Sequence, residues 1–242
     1  MLLRAIKAEV LKCRRAPVWL AFLVLPVFPA VLGTFNYLGN LGVLEDQWYS
    51  LWSQHTLFSS MFFLPALLGV FCAWQWRLEH TDHNWNNFLT APVPVGALCL
   101  AKLIWAAVMS LLSQAWIGAL FIISGKLVGL AGPIPPELPG WLACGAVGGV
   151  SVCAVQLYFS LIIRAFAPTV AFGLIGGIAG LMVTAQGFGY AFPYSLLCIG
   201  MRANNPNMEL DFTPFLLSAF VYTAVFTLLA VHHLRRHDVA AE

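Results

Sequence analysis

Two groups of residues have the types and spacing for metal chemistry. His80 and His83 flank Asp82, while His233 and His237 stand four apart, a spacing that sets two rings on one helix face. Both groups also border long apolar runs, where solvated polar side chains belong, and we read them that way and expect no metal. The six cysteines (Cys13, Cys72, Cys99, Cys144, Cys153 and Cys198) show no close pair of the zinc or redox kind. Five lie in or beside apolar runs, where a thiol behaves as a small hydrophobe, so all six read as structural. No phosphate-binding loop, dinucleotide fingerprint or His-Glu zinc pair occurs. The chain therefore reads as no enzyme, with no catalytic residue, no cofactor of its own and no nucleic-acid partner.

The elements that hold these residues are set by hydropathy. Of 242 residues, 60% are apolar and 9% charged, against roughly 25% charged in soluble domains. A membrane-crossing helix needs about 20 mostly apolar residues, because its backbone must satisfy itself in lipid. Such runs cover about 16–37, 57–76, 98–124, 138–163, 168–185 and 212–234. The fold class is thus all-α integral membrane, with six transmembrane helices in one domain, 1–242. Ten of the twelve Lys and Arg residues fall on one side of this arrangement, leaving Lys126 and Arg202 on the other. Positive residues mark the cytoplasmic side, so both termini are expected inside a cell membrane crossed several times. The first run exceeds a signal-peptide core and is expected to be retained.

The spans lack acids and bases near their middles, and no His, Asp or Glu is expected at membrane depth. An ion-coupled transporter normally carries such groups. The central polar residues are Gln114, Ser113, Gln156, Ser151 and Thr184, suited to hydrogen bonds between helices. Gly173, Gly176, Gly177 and Gly180, with Gly145 and Gly149, form small-residue stripes for close packing, within one chain rather than at a dimer interface. Energy for uphill transport would come from another subunit.

Three polar or amphipathic segments remain. Residues 1–15 set Leu3, Ile6 and Val10 opposite Arg4, Lys7, Lys12 and Arg14, with Arg15 following, a basic helix for the inner membrane surface. Residues 77–97 turn polar and then place Trp85, Phe88 and Leu89 at helical spacing before Pro92, an apolar face for a partner or for the membrane. Residues 188–211 hold an apolar stretch too short to span, which reads as a re-entrant outer hairpin or a cap on the bundle. The first outer loop carries Glu45, Asp46, Trp48, Tyr49 and Trp52, an acidic aromatic surface or an interfacial aromatic belt.

With its Glu9-Val10-Leu11-Lys12 and Arg14-Arg15 lead-in, Glu79, Trp85, Phe88-Leu89-Thr90-Ala91-Pro92-Val93-Pro94 and Leu100-Ala101-Lys102, the chain resembles the membrane subunits of type-2 ABC transporters. It is most similar to the small lantibiotic-immunity permeases. The resemblance implies that 1–15 is a connecting helix carrying Arg4, Lys7, Lys12, Arg14 and Arg15. It implies that 77–97 couples to an ATPase through Glu79, Asp82, Trp85, Phe88, Thr90 and Pro92. Phe192, Tyr194 and Met201, with Trp48 and Trp52, would meet substrate or a gate. ATP and Mg would sit in partner ATPase subunits, and a second permease would complete a homo- or heterodimer. The substrate would be a hydrophobic or amphipathic molecule, first an antimicrobial peptide expelled for self-immunity, with drugs or lipids as alternatives. A non-transporting scaffold or sensor would share the same topology.

Overall fold

The computed structural model describes residues 1–80, 93–163 and 165–236, and among them every regular element is helical. α1 (Leu2–Cys13) leads into a first span made of α2 (Val18–Val24) and α3 (Val27–Gly39). Pro26 breaks it, since a proline donates no backbone hydrogen bond and crowds the preceding turn. The second span joins α4 (Gln47–Phe58), a π-helical turn (Ser59–Phe63) and α5 (Leu64–His80). Pro65 explains that turn: its ring crowds the carbonyl of residue 61 and the helix widens to accommodate it. α6 (Val95–Val128), α7 (Leu138–Ile162) and α8 (Phe166–Ala185) follow, then a 3₁₀ turn (Gly189–Ala191), the short α9 (Pro193–Gly200) and α10 (Phe212–Arg236).

Among the described residues, six helical segments are long and apolar enough to cross a membrane. Their bounds follow the apolar runs, with one difference. The second starts at Gln47, ten residues before its apolar run, and spans 34 residues, or about 50 Å at the α-helical rise. Trp48, Tyr49 and Trp52 are therefore helical, and Trp48 and Trp52 are buried. Hydropathy missed this stretch because Gln47, Ser50, Ser53, Gln54 and His55 dilute it. Gln47 is exposed, and the others are satisfied inside: His55 Nε2 lies 2.9 Å from Thr34 Oγ1, and Asn36 Nδ2 donates to Gln54 Oε1. His55 thus stands, buried, within a membrane-length helix, where no histidine was expected. α6 ends where Gly129 adopts φ 78°, letting the Leu130 N–H reach the Gly125 carbonyl at 3.0 Å.

Small residues set the packing at the centre. Gly173 and Gly177 of α8 face Pro65 and the Met61 carbonyl, while Gly176 and Gly180 on its other side receive Tyr194 of α9. Gly145 and Gly148 of α7 take the Met201 side chain and the Leu196 carbonyl. The glycine stripes are thus filled from within the chain. Of the five central polar residues, Gln156 bonds the Tyr194 hydroxyl at 3.0 Å and Ser151 donates to the Ala219 carbonyl at 3.3 Å. Ser113 and Thr184 return to their own helices, and Gln114 has no partner among the described residues.

A Cβ on Gly148 would overlap the Leu196 backbone, which cannot move aside, whereas one on Gly140 meets open space. Gly148→Ala should lower the detergent melting temperature as an overpacked core does, by about 1–3 kcal/mol of stability. Gly140→Ala should leave it unchanged.

Candidate functional site

Two glutamates and two lysines from three helices meet at the end of the bundle where α1 packs. Lys102, inside the apolar start of α6, is fully buried and donates to Glu9 Oε2 at 3.0 Å, Glu79 Oε1 at 2.8 Å and the Gln75 carbonyl at 2.6 Å. All three ammonium hydrogens are thereby used. The ammonium also lies 4.5 Å from the centre of the Trp76 ring, a cation–π contact. Lys12 of α1 closes the ring, 2.8 Å from Glu9 Oε1 and 2.6 Å from Glu79 Oε1. Two lysines and two glutamates leave no net charge, the condition under which buried ions are tolerated. Glu79 Oε2 has no partner among the described residues.

Local structure explains the convergence. Glu9 and Lys12 are three apart on α1, so both point to one side. The buried residues of α1 are Glu9 and Cys13, whereas Leu3 and Leu11 are exposed. The face turned to the bundle is therefore the one bearing Glu9, and the apolar stripe read from sequence lies mainly outward. Burial pulls the Lys12 ammonium toward neutrality, but Glu79 and Glu9 outweigh it and raise its pKa above the ordinary 10.5. Lys12 therefore keeps its proton at neutral pH. Burial raises the neighbouring Cys13 thiol, so it stays protonated and unreactive.

Among the residues expected to couple to an ATPase, Glu79 is thus at the centre of this node. Asp82, Trp85, Phe88, Thr90 and Pro92, like His83 and His237, lie outside the described residues. Arg4, Lys7, Arg14 and Arg15 are exposed around α1. At the opposite end, Tyr194 and Met201 are buried and Phe192 half-buried. The Trp52 indole donates to the Met201 carbonyl at 2.9 Å and stacks on Trp141 at 5.4 Å. Gln156 satisfies its amide fully when its oxygen faces the Tyr194 hydroxyl and the Gly173 N–H, with its nitrogen on the Thr169 carbonyl. All six cysteines are free thiols, and no cluster of metal-binding side chains forms among the described residues.

Sequence reasoning quoted Glu9 and Lys102 within motifs, and Lys102 as a marker of the inner side, but did not pair them. One signal was available: a lone lysine within an apolar run needs a counter-charge close by. What remained hidden was which acid supplied it, since Glu9 is 93 residues away.

The family model of the ABC-2 family transporter proteins matches residues 5–180. That stretch contains most of α1, the node, four whole spans and most of the fifth, and the chain belongs to this family. It is a multi-pass membrane permease of the ABC class, a transport subunit whose family works with separate ATPase subunits. No curated protein and no solved structure matches the chain.

Removing Lys102 leaves two buried carboxylates with one ammonium. Lys102→Met should cost about 3–5 kcal/mol, as stripping one partner from a buried pair does, and Glu9→Gln in the same chain should return part of it. Thermal melts in detergent check both. Because the Lys12 pKa is raised, its contribution is complete below about 10.4 and is lost only as pH climbs past the folded value. The gap between wild type and Lys12→Gln should stay constant from pH 7 to 9 and close in stronger alkali.

Proposed function

We propose that this chain is the permease of an ATP-driven exporter, and that the segment following Glu79 seats on the ATPase. The observation that carries this reading is the buried node. It ties α1, α5 and α6 together immediately before residues 81–92. A push on that segment would then be delivered to three helices at once. Trp85 and Phe88 supply the apolar contact, Asp82 and Thr90 its polar rim, and Pro92 its end. Arg4, Lys7, Arg14 and Arg15 face the anionic inner leaflet.

In this reading both termini are cytoplasmic in the cell membrane, following the excess of Lys and Arg at that end. A second permease, identical or related, completes the membrane unit, and partner subunits bind ATP and Mg. The segment 188–211 is a re-entrant outer element. Tyr194 seated on Gly176 and Gly180 supports this, because α9 packs between α7 and α8 rather than lying over them. Phe192, Tyr194, Met201, Trp48 and Trp52 form a closed outer gate, sealed by the Trp52–Met201 bond. The substrate is hydrophobic or amphipathic, with a lantibiotic-type antimicrobial peptide favoured by resemblance to immunity permeases.

The test is to purify the tagged chain from cells of its source in mild detergent and assay the eluate for ATPase activity. Wild type should bring down an ATPase, and Trp85→Ala with Phe88→Ala should lose it while the melting temperature holds. A folded wild-type chain that elutes without ATPase activity would favour the scaffold reading.

A further inference from the structure

The end of the bundle away from the termini carries an open cavity of about 870 Å³, whose lining includes Tyr49, Glu137, Trp141, Arg202, Glu209 and Phe212. That volume suits a small organic ligand or a lipid head group. Arg202 is 8% exposed, and no carboxylate among the described residues lies within ion-pair distance of it. Its Nε donates to the Met208 carbonyl at 3.0 Å, and its Nη1 to those of Ile199 at 2.9 Å and Gly200 at 3.2 Å. Those bonds occupy Nε and Nη1. Nη2 makes no hydrogen bond to a protein oxygen among the described residues and is the donor left for a ligand, with the Cys144 thiol beside the guanidinium. Burial lowers the Arg202 pKa, yet an arginine remains charged at any physiological pH. A desolvated guanidinium without a counter-ion is costly, and a phosphate is the anion whose geometry matches it.

Two further features narrow the ligand. Glu137, which accepts the Tyr49 hydroxyl at 2.8 Å, and the exposed Glu209 line the same cavity. A ligand that met only Arg202 as an anion would also be repelled by these acids, whereas one carrying an amine beside its phosphate satisfies both. From the cavity wall, Phe212, Leu216 and Phe220 run down α10 at intervals of four residues, 57%, 51% and 71% exposed. Residues four apart share a helix face, so an apolar track leaves the charged cavity along the membrane-crossing helix.

We infer that this cavity is the head-group site of a zwitterionic phospholipid. The phosphate sits on Arg202, the amine lies toward Glu137 and Glu209, and an acyl chain lies along Phe212, Leu216 and Phe220. The site requires no ATPase and goes beyond the export reading, so either can fail alone.

Native mass spectrometry of the delipidated full chain tests it, with phosphatidylethanolamine and phosphatidylglycerol of identical acyl chains as probes. Wild type should prefer the ethanolamine lipid by roughly fivefold, the ceiling for one exposed charge pair. Glu137→Gln with Glu209→Gln should erase that preference, and both sites are exposed, so the fold should tolerate the change. Arg202→Gln should weaken both lipids, provided its melt shows a folded chain. Soluble phosphoethanolamine at equal concentration should not displace the lipid. Equal binding of the two lipids by wild type, or a preference unmoved by the Glu137/Glu209 variant, would overturn the assignment. Displacement by soluble phosphoethanolamine would overturn the lipid as the source of the head group.

Discussion

Everything at the α1 end of this bundle depends on one electrostatic constraint: the Lys102 side chain is completely buried. Its ammonium must find acids within the protein, and it finds Glu9 on α1 and Glu79 on α5. Lys12 then balances the second carboxylate charge. Replacing such a network wholesale by apolar residues is often harmless to stability, whereas breaking it in part is not. Its value is therefore specificity, because it fixes which face of α1 meets the bundle and at what height along α5 and α6.

Hydrophobic burial alone would dock α1 differently. Leu3 and Leu11 are exposed at 75% and 64%, while Glu9 is buried. An amphipathic helix governed only by its apolar stripe would turn Leu3 and Val10 inward beside Ile6, which here is only half-buried. Here the outward apolar residues are free to meet the membrane surface, and the ion pairs do the anchoring. The same helix can thus belong to the bundle by charge and to the lipid by hydrophobicity.

The six spans were legible because the backbone requirement for long apolar helices leaves a strong trace in composition. The second span was only half legible. Its first ten residues mix polar side chains with aromatic ones, and the burial of Gln54 and His55 depends on Asn36 and Thr34 from the preceding helix, contacts that no single stretch of sequence displays. Glu79, Lys12 and Lys102 all stood in the segments that carry the family resemblance, but their pairing was not read from them. Glu9 was quoted only within the lead-in motif and given no role, because a charged residue on an amphipathic helix normally faces water. Tyr194 and Met201 could be named from the short apolar stretch, but their burial against Gly176, Gly180 and Gly145 is a property of three-dimensional packing.

Hydrogen exchange on α1 in detergent tests the central claim, that the ion pairs hold this helix to the bundle. In Lys102→Met the amides of α1 should exchange at least tenfold faster than in wild type, about 1.4 kcal/mol of lost protection. Those of α7 and α8 should remain protected. Unchanged protection of α1 in that variant would contradict the account and return the docking of α1 to its apolar contacts.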